Sequence, residues 1–215
     1  MLDAIIYVTM SMIEGFILFF FAFGLFRIDL RDYWKEVGIA VTTISLGTFF
    51  YSTSDALSPI SPLLNMSAMI LFLIILFKLP MLHSFYVVAT TFIVVLVMQG
   101  ITVASVGNIA NLTLAEIKNN DHLRYSFQLT TDLLILCLSV FLRKKKLWYT
   151  FIPYGKQKVK LTISNALLLM TSAFGIAIAS TALNMNNFII GTIFWSSFAA
   201  LIIYIGIRKE ASGND

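Results

Sequence analysis

The chain has 215 residues, 59% of them hydrophobic and only 12% charged, with a formal net charge of +4. About a quarter of a typical soluble domain is charged, and a globule of this length has too little interior to hide so much apolar surface. A soluble enzyme or soluble binding domain is therefore excluded, the small basic excess is no nucleic-acid signal, and lipid is left as the solvent.

In chain order, the apolar runs predict membrane-spanning helices at about 4–26, 37–54, 60–77, 82–106, 126–142, 161–183 and 188–207. A helix crosses the hydrocarbon core with roughly 20 apolar residues. The seven runs take up most of the chain, so residues 1–215 read as a single polytopic membrane domain. The fold class expected is an all-α membrane protein, a bundle of seven transmembrane helices. A β-barrel is disfavoured because the runs are continuous rather than alternating. Only Met1, Leu2 and Asp3 precede the first run, with no basic segment and no small-residue cleavage site, so that run is expected to stay as a helix.

The second run is rich in hydroxyls (Thr42, Thr43, Ser45, Thr48, Ser52, Thr53). Such groups bond back to their own helix or to a neighbour, so the run can still be buried in a bundle. Pro59 and Pro62 mark a tight turn before the third run, and Lys78 and Pro80 mark another before the fourth. Runs two to four are expected to pack as neighbours. Between runs four and five, Ile109, Leu112, Leu114 and Ile117 recur at helical spacing, which suits a short surface helix. Cys137, the single cysteine, lies inside run five and reads as a small apolar packing residue. In run six, Ala173 and Ala177, and Gly175 and Ala179, have the small-xxx-small spacing of close helix contacts.

If the seven runs alternate in direction, thirteen Lys and Arg residues fall on one side and only Lys118 and Arg124 on the other. The basic side is then cytoplasmic, the N-terminus outside and the C-terminus inside. Much of the basic side is one connection, where Arg143, Lys144, Lys145, Lys146, Lys156, Lys158 and Lys160 are mixed with Trp148. This segment reads as a topology anchor on an anionic leaflet or as a docking surface for a cytoplasmic partner or lipid headgroup.

Glu14 and Asp132 are the only acids inside the runs. An ionised carboxylate at mid-depth costs about 2.5–3.5 kcal/mol, and helices that keep one turn it toward the bundle or a wet cavity. Ser11 and Glu14 share a face of the first run, Gln128, Asp132, Ile135 and Ser139 a face of the fifth, and Gln99 and Thr102 a face of the fourth. These faces suggest one polar cavity open to the outside, with Glu14, Asp132, Gln99, Gln128, Ser11 and Thr102 as its ligand-binding or proton-linked residues. A purely structural hydrogen bond is the competing reading for both acids. No enzyme is expected. The chain has no His-Glu-x-x-His zinc motif, no second membrane aspartate and no acid near Cys137 to orient a histidine for thiol chemistry. Neither a metal nor a cofactor is expected.

The stretch Leu76-Phe77-Lys78-Leu79-Pro80 with Leu82, the Ile28 to Glu36 loop with Tyr33-Trp34-Lys35, and the Trp148 to Pro153 stretch carry a likeness. Over roughly residues 15–155 the chain resembles the membrane sensor domains of agr-type (GHKL) quorum-sensing histidine kinases. The resemblance implies six or seven helices that bind an extracellular peptide pheromone and signal to a cytoplasmic kinase. This sequence departs from that pattern in having no phospho-accepting histidine and no ATP-binding motif after Lys209. The function expected is thus that of a non-catalytic module of the bacterial cytoplasmic membrane. It would bind an extracellular peptide or small amphipathic ligand and signal through a partner. The alternative is a small transport component, either the substrate-binding subunit of an importer or a proton-coupled carrier. The partners expected are the lipid bilayer, a peptide ligand, a membrane or cytoplasmic signalling protein and a second copy in a homodimer; nucleic acid is not among them.

Overall fold

The computed structural model describes residues 2–146, apart from 55, 111, 113–115, 118 and 119, together with 149, 196, 200, 204 and 207. The runs at 161–183 and 188–207, and the site candidates Trp148, Lys156, Lys158 and Lys160, lie outside the described residues or are represented there only by isolated positions. Among the described residues the chain is all helical, with no strand.

Among the described residues there are five long helices: α1 (Leu2–Leu25), α2 (Trp34–Thr53), α3 (Ser61–Ile75), α4 (Met81–Thr102) and α5 (Asp121–Lys144). They correspond to the first five apolar runs, with shifted ends. The fifth run starts at Asp121 rather than 126, because the Asn120 side chain accepts from the backbone N–H of His122 at 3.0 Å and caps the helix there. The fourth passes at Val103 into a π-helical turn, Val103–Gly107, and then into a short turn at Asn108–Ala110. In that connection Ile109 is exposed and Ile117 is buried, so the expected apolar stripe is split.

Among the described residues, three helices are long and apolar enough to cross a membrane: Ala4–Leu25, Met81–Val106 and Asp121–Lys144. The other two are weaker for the reasons legible in their composition. α3 has 15 residues, about 22 Å of helix against a hydrocarbon core of about 30 Å. α2 is long enough, but its hydroxyls lower its hydropathy. Several of them bond within the bundle: Thr43 donates to the Ile39 carbonyl at 2.8 Å. The Thr48 hydroxyl lies 2.8 Å from the Ile44 carbonyl and 2.9 Å from Asn65 Oδ1 on α3.

The helices pack in a ring, α1 against α2, α2 against α3, α3 against α4, α4 against α5 and α5 back against α1, with α4 also touching α1. Directions follow from which residues meet. Tyr7 faces Phe49, with ring centroids 6.0 Å apart, so α1 and α2 are antiparallel. Glu14 meets Gln128 and Gly24 meets Arg143, so α1 and α5 run parallel. Parallel first and fifth helices are what three intervening crossings, an odd number, require.

The main core lies on the α2, α3 and α4 side of α1. Phe19, Phe23, Phe26, Phe77, Tyr86 and Tyr149 are buried in it, and Phe23 meets Phe77 edge-on at 5.0 Å. Tyr149 is tied in by its backbone N–H, which donates to the Leu25 carbonyl at 2.8 Å, and by its ring, 5.6 Å from that of Phe26. The chain following α5 therefore folds back onto the end of α1 at that point.

Arg27, Lys78 and Lys146, just past the ends of α1, α3 and α5, all have positive φ, at 56°, 54° and 55°. Glycine is the usual residue there, and an L side chain costs about 1–2 kcal/mol. A basic side chain offsets part of that cost through the helix dipole. All three close helices that run in one direction, so they gather at one end of the bundle, the basic end. Cys137 is exposed on α5, not packed inward as expected, because the α5 face turned to α1 and α4 is the one carrying Asp132, Ile135 and Ser139.

Candidate functional site

α1, α4 and α5 bring most of the predicted polar residues together. Gln128 Nε2 donates to Glu14 Oε2 at 2.8 Å across the α1–α5 contact. One turn along α5, Asp132 is 3% exposed, and its Oδ2 has no hydrogen-bond partner among the described residues. Asp132 lies close enough to Glu14 for the two carboxyls to interact electrostatically. Across the α4–α5 contact, the buried Thr131 hydroxyl lies 3.2 Å from that of Thr102. Thr131 also lies 2.9 Å from the Phe127 carbonyl, and Thr102 lies 2.9 Å from the Met98 carbonyl. Thr102 is the last α-helical residue before the π-helical turn, a kind of bulge often found beside functional sites.

Two predicted members stand apart. Gln99 is half-buried on α4, and Ser11 is half-buried on α1 one turn before Glu14. Among the described residues no hydrogen bond joins either to the carboxyls. No group of three or more His, Cys, Asp or Glu able to hold a metal occurs among the described residues.

The predicted docking surface divides. Lys144, Lys145 and Lys146 are exposed at the basic end. Arg143 does not belong with them, which corrects the expectation for that residue. Its guanidinium lies over the Phe20 ring, 4.1 Å from the centroid, and Nη2 donates to the Phe20 carbonyl at 3.4 Å. Gly24 makes the room: a Cβ there would sit 2.7 Å from Arg143 Nε and 3.1 Å from Ser139 Oγ. Sequence reasoning missed this contact, although its signal was present. Four more residues along the face of Gln128, Asp132, Ile135 and Ser139 lead to Arg143.

A shallow open depression of about 490 Å³, lined by Trp34, Lys35, Gly38, Ile39, Thr42 and Thr43, lies on the exterior of α2, away from the carboxyls. It gathers no acid and no buried polar group, so it offers less chemistry than the carboxyl cluster. No family model, curated protein or solved structure matches the chain.

The cluster can do one thing well. An acceptor pair with no cation beside it among the described residues favours a proton, an amine or another hydrogen-bond donor over an anion.

Proposed function

We propose that this chain is a non-catalytic, multi-pass protein of the bacterial cytoplasmic membrane. In this reading it has seven spans, its N-terminus outside and its C-terminus in the cytoplasm. It acts as a receptor-like or accessory module that takes the cationic or hydrogen-bond-donating group of an extracellular peptide or small amphipathic ligand at Glu14, Gln128 and Asp132. The observation that carries the reading is the Asp132 carboxyl, buried beside Glu14 with one oxygen unpartnered among the described residues. A carboxylate kept in that state is costly, and a bound positive group relieves the cost. The orientation is supported by the basic end of the bundle, where Arg27, Lys78 and Lys146 gather, through the preference of Lys and Arg for the cytoplasmic side. The resemblance to agr-type sensor domains suggests a peptide as ligand and a separate signalling protein as partner.

A second reading, a proton-coupled transport component, is favoured by the near-complete burial of Asp132, which suits a small sealed site better than an open peptide groove. The two are separated by mass spectrometry of what purifies with the protein in mild detergent. The receptor reading expects a peptide or amphipathic amine on the wild type that is lost from Asp132→Asn. Recovery of the same molecules in equal amounts from both proteins rejects the site.

A further inference from the structure

Along α5 a polar stripe faces α1 and α4: Gln128, Asp132, Ser139 and Arg143. Among the described residues, Asp132 Oδ2, Ser139 Oγ and Arg143 Nε are all buried without a hydrogen-bond partner, and Ser139 is only 2% exposed. Buried polar atoms are nearly always partnered, and each orphan costs about 1–3 kcal/mol. Three on one face of one helix make that face a poor permanent packing surface.

On α5 the stripe is interrupted at Ile135. Phe21 of α1, Val95 of α4 and Ile135 of α5 form a buried apolar cluster separate from the main core. On α1 and α5 this cluster falls between the two polar zones. Ile135 lies between Asp132 and Ser139, and Phe21 lies between Glu14 and Gly24. Val95 lies two turns from Thr102, toward the basic end. Asp132 and Arg143 are eleven residues apart on α5, a rise of about 16 Å, so the plug and the two polar zones together span roughly half of a hydrocarbon core.

We propose that Phe21, Val95 and Ile135 form a hydrophobic gate in a proton path along the seam between α1 and α5. With the three side chains in contact, the carboxyl zone and the Ser139–Arg143 zone are dead ends and no proton crosses. A shift of α5 on α1 that parts them admits a file of water between Asp132 and Ser139, since apolar constrictions open by wetting. The proton is taken up on a carboxylate oxygen of Asp132, handed to that water, and released past Ser139 at the basic end. No metal ion or co-reactant is involved. The gate stands whichever ligand occupies the carboxyl cluster and is tested without one.

The test uses the full chain in proteoliposomes carrying a pH-sensitive dye, with a potassium gradient and valinomycin setting the potential. The wild type should take up protons at the rate of protein-free vesicles. Ile135→Ser should raise uptake several-fold, and adding Asp132→Asn should return it to the wild-type rate. Ile135→Ser with no faster uptake overturns the proposal, as does an Ile135→Ser, Asp132→Asn protein as leaky as the single variant, since that leak does not use the carboxyl. Accessibility gives an independent reading. In a Cys137→Ser background, Ser139→Cys should react with an impermeant thiol reagent only from the basic side, and from both sides once Ile135 is Ser. Labelling of Ser139→Cys from the opposite side while Ile135 is intact also overturns the gate. Loss of ligand binding by Asp132→Asn without these flux changes would remove the gate and leave the ligand site standing.

Discussion

On one side of α1, Phe19, Ala22, Phe23 and Phe26 sink into an aromatic core shared with α2, α3 and α4; on the other, Glu14, Phe20 and Gly24 meet the polar stripe of α5. The first side is built from interlocking rings, with centroids 5.0 Å apart for Phe23 and Phe77 and 5.6 Å apart for Phe26 and Tyr86. The second side leaves three buried polar atoms on α5 unpartnered among the described residues. The same helix thus anchors a close-packed half of the bundle and borders a half whose packing is compromised. In proteins such compromises concentrate where function needs them.

If the aromatic side holds the bundle together, Phe23→Ala should be the most damaging single change, costing about 3–5 kcal/mol, and should lower the thermal midpoint in detergent more than any truncation on α5. Next in size is Gln128→Leu. It removes the amide that donates to Glu14 and should cost about 1–3 kcal/mol for a buried acceptor left alone. Glu14→Gln keeps a hydrogen-bonding partner for Gln128 and should spare stability while removing the ligand response. Equal loss of stability in Glu14→Gln and Gln128→Leu would place that pair on the structural side of the comparison.

Gly24→Ala should cost about 1 kcal/mol, at the low end for overpacking, because the clash falls on a flexible arginine side chain. Arg143→Ala should cancel most of that cost in the double variant, since the two residues share one space. Additive losses would mean that Arg143 does not occupy the Gly24 notch. The smallest effect expected is a gain. Lys78→Gly should stabilise by about 1 kcal/mol through relief of its left-handed backbone, with no change in ligand response.

Helix positions were legible in the sequence because apolar runs bounded by Lys78-Leu79-Pro80 and by Pro62 leave few other ways to fold. The partnership of α1 with α5 was only half legible. The isolated acids Glu14 and Asp132 pointed to it, and the shared face of Gln128, Asp132, Ile135 and Ser139 gave the right side of α5. What a face pattern does not give is depth of packing. The sequence placed Arg143 with Lys144 to Lys146 in one basic run, because charge patterning is blind to a gap left by a glycine on another helix. Gln99 and Ser11 were drawn in by helical periodicity, yet no hydrogen bond connects them to the carboxyls among the described residues. Cys137 was read as packed because it sits in an apolar run, and in a membrane protein that describes the exposed face equally well.

The account rests on Asp132 being kept for function at the expense of stability. Asp132→Val, unfolded thermally in detergent beside the wild type, tests this most directly. An apolar group of similar size in place of an unpartnered buried carboxyl should leave the midpoint unchanged or raise it, while ligand response is lost. A midpoint lowered as far as that of Phe23→Ala would contradict the account and make Asp132 part of what holds the bundle together.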